Sequence, residues 1–430
     1  MWYFPHLLDA AIAYSTLFVT ISLAVSRPRI GLRDLRFSPG SAALLGVVTL
    51  LLARLLTFDD MLASARIQWR PLLSLTCIMV MTGVVQEVRA FERLACWIES
   101  RARDTSAKHT FTLVFLMSVV TPSLLNNDSA ILLLTPLVIA LTRRLYPGRP
   151  AVTEAFAFVV FLAPGVAPLI TSNPMNMIVA EFAGVDFNGY AKIMLPLSIA
   201  GALLTFAVLY LHFGKLLATT VAARTAVEVV ARHRAERPAV AVLLVVFAAY
   251  PITAALGGQI WIVAVAGAIS CLAIARLYRV APTRQVLRHI SPDILVFLWG
   301  VFLVVAGLRH VGVVEQLAHF YQAVPSGSGR EIATVGVVAA IGSAVVDNHP
   351  MSILNMMALG AHGGSRPLLA ALVGGDIGPR LLPVGSLAGL LWMELLRRSG
   401  VEISIWKFIR LGTLVLIPTL TLSLVLLWLS

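Results

Sequence analysis

The sequence predicts an all-α integral membrane protein built as an inverted repeat, with about ten transmembrane helices, two re-entrant hairpins and two discontinuous helices. Three observations predict it. The 430 residues are 59% apolar and 13% charged, with mean hydropathy +0.89, whereas a soluble domain carries about 25% charged residues. Apolar runs long enough to cross a bilayer recur along the chain. In each half, one pair of apolar regions is broken by polar residues at corresponding positions.

A membrane-crossing helix needs about 20 mostly apolar residues. Such runs lie at 7–25, 41–57, 71–88, 155–183, 193–213, 239–256, 260–275, 293–311, 367–397 and 408–429. The first has no basic residue before it and Arg27, Arg29, Arg33 and Arg36 after it. A cleaved leader has the opposite polarity, so this run reads as a retained span that starts outside. Residues 110–142 are broken by Thr121-Pro-Ser-Leu-Leu-Asn-Asn-Asp-Ser129, and residues 331–361 by Asp347-Asn-His-Pro350. Each leaves two arms of about 13–16 residues, a length that suits a re-entrant segment.

Basic residues in short loops set orientation. Segment 26–36 is placed inside, as is 89–109 with Arg89, Arg93, Arg101, Arg103 and Lys108. Arg143, Arg144 and Arg149 follow the first broken region, so it enters and leaves from the cytoplasm. Segments 214–237 (Lys215, Arg224, Arg232, Arg234, Arg237), 276–289 (Arg276, Arg279, Arg284, Arg288) and 397–410 (Arg397, Arg398, Lys407, Arg410) are also inside. The second broken region then enters and returns on the outer side. The expected division is an extra N-terminal helix at 1–30, a first repeat at 31–213 and a basic linker with connecting helix at 214–258. The second repeat then follows at 259–430. Inverted repeats of this kind mark secondary carriers.

The net charge of +12 sits in these short segments, with no separate basic domain, so no nucleic-acid partner is expected. Cys77, Cys96 and Cys271 form no C-x-x-C and adjoin no other ligand type, so neither a disulfide framework nor a metal site nor a cofactor is expected.

Candidate site residues follow from the breaks. A polar interruption at membrane depth frees backbone groups that protein or a water-lined cavity must satisfy. The first hairpin tip offers Asn126, Asn127 and Asp128; the following broken span offers Thr171, Ser172, Asn173 and Asn176. The second tip offers Asp347 and Asn348, and its broken span Asp376, Gly385 and Ser386. Asn, Ser and Thr supply donors and acceptors, and a helix starting at a tip aims free N–H groups at the site. The three intramembrane carboxylates, Asp128, Asp347 and Asp376, are candidates for proton coupling. Plain readings stand beside these. Asp128, Ser129 or Asn127 can simply cap the next helix, and Pro164, Pro168 and Pro174 can simply kink one. Arg380, one turn after Asp376, can pair with it. His349 either shares a proton with Asp347 or fills space as its hydrogen-bonded neighbour.

Three stretches carry a family resemblance. They are Asn127-Asp128-Ser-Ala-Ile-Leu-Leu-Leu-Thr135-Pro136, Ser172-Asn173-Pro-Met-Asn176-Met-Ile-Val-Ala-Glu-Phe182, and Gly375-Asp376-Ile-Gly378-Pro379-Arg380-Leu-Leu-Pro383-Val-Gly385-Ser386-Leu-Ala388-Gly-Leu-Leu-Trp392. With the span order, they make the chain similar to the ArsB-type arsenite/antimonite permease family of the ion transporter superfamily. Gly375 stands where that family often has Cys, Leu382 where it has Thr, Pro174-Met175 where it has Leu-Thr, and Asp347 and His349 where it usually reads Asn-Asn-Leu-Pro. The resemblance implies efflux of arsenite and antimonite across the inner membrane, driven by proton influx and conferring arsenic resistance. It also implies a chain that works alone or with a separate cytoplasmic ATPase subunit. The chain has no G-x-x-x-x-G-K-[ST] loop of its own and is not expected to be an enzyme.

Other functions of the same architecture are a sodium/proton antiporter, since carboxylates and carbonyls suit a hard cation, or a dicarboxylate carrier, which would have to meet three carboxylates of like charge. An intramembrane protease lacks support: H-E-x-x-H is absent, and Ser172 and His349 are far apart in sequence.

Overall fold

The computed structural model describes residues 6–30, 35–102, 105–223, 230–360 and 364–430. Arg33, Arg103 and Arg224, read above as loop charges, lie outside the described residues, as does residue 361 at the end of the second hairpin. The chain begins with α1 (His6–Ser26), a two-residue antiparallel strand pair, β1 (Arg29–Ile30) and β2 (Leu35–Arg36), and α2 (Pro39–Leu52). Then come α3 (Phe58–Glu87), α4 (Ala90–Ala102), the pair α5 (Ala107–Leu125) and α6 (Asn127–Leu145), the pair α7 (Pro150–Leu162) and α8 (Pro174–Ala183), α9 (Phe187–His212) and α10 (Gly214–Ala218). After the linker come α11 (Glu236–Ala255), α12 (Ile260–Leu277), α13 (Thr283–Leu287), α14 (Pro292–Arg309) and α15 (Val313–Gln322). The chain ends with the pair α16 (Gly329–Val346) and α17 (Asn348–Leu359), the pair α18 (Ser365–Ile377) and α19 (Leu387–Arg398), and α20 (Ile405–Leu429).

All ten expected spans are helical, and the two long ones, 155–183 and 367–397, are each split into two helices as their Gly/Pro breaks require. Among the described residues, eight helices are long and apolar enough to cross a membrane by length and composition. Two of these are α5 and α16, the first arms of the hairpins. The hairpin arms differ from the expected length: they run 19 and 19 residues in α5 and α6, and 18 and 12 in α16 and α17. Polar residues at the ends of the apolar runs stay helical because they have partners. Thr142 Oγ1 donates to Ile139 O (3.1 Å). The Tyr146 hydroxyl, just past α6, donates to Thr110 near the start of α5 (2.7 Å) and closes the open end of the hairpin.

Two further differences have local causes. The span expected at 71–88 extends back to Phe58, where Thr57 and Asp60 form a reciprocal capping box. Segment 89–109, read as a loop, contains α4, whose buried Ala95, Ile98, Glu99 and Ala102 fall at i, i+3, i+4 and i+7. That pattern is short and interrupted by charges, which hides it from a search for spans.

The basic segments gather at one end of the molecule. Arg93 pairs with Glu236 (3.2 Å), Arg143 donates to the Ser399 carbonyl, and Lys407 donates to Glu154 (2.6 Å). Glu87 accepts from Gln285 (2.9 Å) and contacts His289 (2.8 Å). The opposite end is tied by Asp60 to His310 (3.1 Å) and Arg70 to Glu181 (2.9 Å).

The core divides into two apolar clusters, and the division explains where the site lies. One cluster holds α5, α6 and α7 together with α19. The other holds α16, α17 and α18 together with α8. Each hairpin therefore packs on the first half of its own broken span and on the second half of the other span. The two broken spans cross between the clusters, and both breaks fall at the crossing. Trp392 of α19 anchors one cluster, stacking on Phe161 at 5.0 Å and donating its indole N–H to Ala157 O (3.2 Å). In the other, α16 and α18 approach backbone to backbone. A Cβ at Gly378 would lie 2.9 Å from Ala340 Cα, so only glycine fits there.

Candidate functional site

Four helices begin at the crossing, and each is capped by a side chain from its own break. Asn126 Oδ1 accepts from Ser129 N (3.0 Å) at the start of α6, and Asn173 Oδ1 from Met175 N (3.0 Å) at the start of α8. Asp347 Oδ1 accepts from His349 N (2.9 Å) at the start of α17, and Ser386 Oγ from Gly389 N (3.0 Å) at the start of α19. These caps satisfy part of each helix terminus, and the four N-termini bring partial positive charge to one place.

The two halves match in backbone detail. Both hairpin tips are non-glycine residues at positive φ, Asn126 at 120° and Asp347 at 88°. Such backbone costs about 1–3 kcal/mol, and surrounding structure must impose it. Both broken spans pass through an extended leucine (Leu169, φ −124° ψ 149°; Leu382, φ −136° ψ 134°), one 3-10 turn (Ile170–Ser172; Pro383–Gly385) and an extended N-cap (Asn173, φ −144°; Ser386, φ −156°).

Between the four helix starts lies a cavity of about 50 Å³. Asn127 and Asp128 reach its wall from the first tip, Asn348 and His349 from the second, Pro164 and Asn173 from the first broken span, and Asp376, Arg380 and Ser386 from the second. Ile131, Phe161 and Ala388 supply apolar wall. Six residues expected from the sequence thus come together here: Asn127, Asp128, Asn173, Asn348, Asp376 and Ser386.

The other candidates lie behind the wall. Asn126 caps α6, taking the role weighed above for Asp128, Ser129 or Asn127, because its side chain sits just before the helix and reaches the N–H of the first turn. Thr171 is buried away from the cavity, and Ser172 donates to Ser123 O (3.3 Å), tying the break to α5. Asn176 is fully buried beside the Asp376 carboxyl and the Tyr190 hydroxyl. Gly385 packs its backbone against α16, where a Cβ would lie 2.8 Å from Ala344 Cα. Asp347 holds His349 by backbone and ring, with Nδ1 2.7 Å from Oδ1.

The three carboxylates differ in their surroundings. Asp376 accepts from Asn173 Nδ2 (2.8 Å) and from Ala167 N (2.9 Å), both on the opposite broken span. Asp347 is engaged by His349. Asp128 reaches the cavity with no hydrogen bond to its carboxylate from a described residue.

Arg380 was weighed as a partner for Asp376, but its donors go elsewhere. Nη2 donates to Leu162 O (2.7 Å) and Pro164 O (2.8 Å), and Nη1 to Thr419 Oγ1 (3.0 Å). The carbonyls left open at the end of α7 are thus satisfied by an arginine some 200 residues later. Arg380 and His349 are the site residues that sequence reasoning left among plain readings. The usable signal was an ionisable side chain in an otherwise apolar stretch.

Two crossed discontinuous helices, two hairpins and a small polar cavity inside a bundle of apolar spans define a multi-pass transporter of the inner membrane. A family model described as the arsenical pump membrane protein, ArsB, matches residues 13–430. The arsenical pump membrane protein of Escherichia coli (strain K12) is 29% identical over 397 residues, 90% of this chain and 92% of that protein. That of Yersinia enterocolitica is 29% identical over 427 residues, covering 96% and 97%. An uncharacterized transporter of Mycobacterium tuberculosis (strain ATCC 25618 / H37Rv) is 29% identical over 436 residues, covering 96% and 97%. Among solved structures, the YdaH transporter of Alcanivorax borkumensis shares the fold, with a TM-score of 0.58 at 17% identity over 99% of this chain and 98% of that one. The chain belongs to the arsenical pump membrane protein family.

Proposed function

We propose that this protein exports arsenite and antimonite by secondary active transport coupled to proton influx. The observation that carries the reading is the cavity at the crossing. Holding one water takes roughly 10–15 Å³, so about 50 Å³ suits a solute of about four heavy atoms. Arsenous acid, one arsenic bearing three hydroxyls and neutral near neutral pH, has that size. Its O–H groups need acceptors, and the wall offers the Asp128 carboxylate and the Asn348 Oδ1, which has no protein partner. A hydroxyl-binding site releases arsenic readily, whereas thiolates would hold it.

Of the three carboxylates nominated for proton coupling, Asp128 has the surroundings for the task, open to the cavity and unengaged. Asp347 and Asp376 support it by fixing the tip and the crossing. The first repeat (31–213) would bring its hairpin from the cytoplasm and the second (259–430) from outside, so that each cluster can rock against the other around the cavity. A separate ATPase subunit, if one is used, would engage the basic end. A dicarboxylate is both too large for the cavity and repelled by Asp128.

The test is arsenite uptake into everted membrane vesicles. Uptake driven by respiration and abolished by a protonophore supports the reading. Sodium-dependent proton movement without any effect of arsenite would replace it with an antiporter.

A further inference from the structure

The proposed chemistry leaves one nitrogen at the cavity without a role. His349 opens α17 and is buried, and its ring is held from two sides. Asp347 Oδ1 lies 2.7 Å from Nδ1, and the same oxygen accepts the His349 backbone N–H at 2.9 Å. Phe297 of α14 stands edge-on to the ring, with centroids 5.6 Å apart and planes at 77°. A carboxylate on Nδ1 keeps a proton there and fixes the orientation of the other nitrogen. No described residue hydrogen-bonds Nε2, and His349 lines the cavity beside Asn348, whose Oδ1 is buried and unpartnered. A side chain this constrained, with its one free polar atom at a polar cavity, has the geometry of a ligand contact. Packing alone would not require a carboxylate locked to the far nitrogen.

We infer that His349 contacts the transported solute, its Nε2 hydrogen-bonding one hydroxyl of a small neutral polyhydroxylated species, and that Asp347 is the residue that positions it. The inference rests on the functional reading above and deepens it. The first half meets the solute through Asp128 and Asn127, and the second through His349 and Asn348. A hydroxyl both donates and accepts, so the contact persists whether or not Nε2 carries a proton.

The test is the KM for arsenite in everted vesicles, with the amount of folded transporter measured by gel filtration in detergent. His349→Leu removes the contact and raises KM about tenfold or more, the cost of one lost hydrogen bond that leaves a polar partner unpaired. His349→Gln places an amide near the Nε2 position and stays within about threefold of wild type, while the shorter His349→Asn behaves like leucine. Asp347→Asn keeps an acceptor for the His349 N–H but loosens the ring, and raises KM. A positioning residue acts only through its target, so the Asp347→Asn/His349→Leu double variant is no worse than His349→Leu alone.

A wild-type KM in His349→Leu would overturn the inference while leaving arsenite transport standing. Full additivity of the double variant would overturn the positioning role. If His349→Leu fails to fold, the contrast between glutamine and asparagine decides, and equal KM values for those two overturn the contact. Wild-type vesicles that move no arsenite overturn the functional reading, and the inference with it.

Discussion

Asn173 and Asp376 join the two broken spans at their crossing: Asn173 Nδ2 donates to Asp376 Oδ1 across 2.8 Å while its own Oδ1 caps α8. The other oxygen of Asp376 takes the Ala167 N–H. Asp376 is thereby an acceptor facing two donors. Asp376→Asn turns an NH₂ toward one of them and is expected to cost about 1–3 kcal/mol, with arsenite transport lost. The exchange Asn173→Asp/Asp376→Asn restores every bond, since an aspartate at 173 still accepts from Met175 N and now accepts from the new amide. Thermal unfolding in detergent should therefore place the double variant nearer to wild type than either single one. A double variant worse than both would show that the pair is not the link described.

Arg380 acts by geometry rather than charge alone. One Nη bridges two carbonyls of the opposite span while the other holds Thr419. Lysine keeps the charge but has no planar fork. Arg380→Lys is expected to lose about 1–3 kcal/mol of stability, read by the same unfolding assay. Full tolerance would mean that the site needs only a positive charge there.

Asp128→Asn removes the open carboxyl without disturbing the cap, which belongs to Asn126. The variant should reach the membrane at normal levels and fail to protect an arsenite-sensitive strain. Exchange of labelled for unlabelled arsenite across vesicles should persist, because binding remains when coupling is lost. Uphill, proton-driven uptake by this variant would place coupling on another group.

Close approach of α16 and α18 depends on absent side chains. Gly378→Ala sets a Cβ against the Ala340 backbone, which has no soft direction to move, and overpacking of this kind costs about 1–3 kcal/mol. Gly214→Ala serves as the contrast. Nothing lies within 4 Å of a Cβ there, and alanine in a helix is favoured by up to about 1 kcal/mol.

What was legible in the sequence was the position of each break, because lipid makes polar and Gly/Pro residues conspicuous at membrane depth. Asn126 to Asp128, Asn173, Asp347 to Asn348, Asp376 and Ser386 all fall at helix starts around one cavity or directly behind it. Partnership was not legible, because it crosses the fold. Asp376 lies about 200 residues from the amide it binds, and nearness in sequence suggested Arg380, which instead turns to Leu162 and Pro164. The crossing of the two spans between two apolar clusters was equally hidden, since an all-apolar helix does not announce which neighbour it packs on. Amphipathic α4 and α15 escaped because their apolar faces are one to three turns long.

The claim on which the rest depends is that two tips more than 200 residues apart in the chain share one cavity. Its most direct test is thiol crosslinking of Asn127→Cys with Asn348→Cys in a background lacking Cys77, Cys96 and Cys271. A short bifunctional reagent applied to membranes should join the two within one chain and stop transport. Two thiols that each react with a monofunctional reagent but are never joined would contradict the shared site.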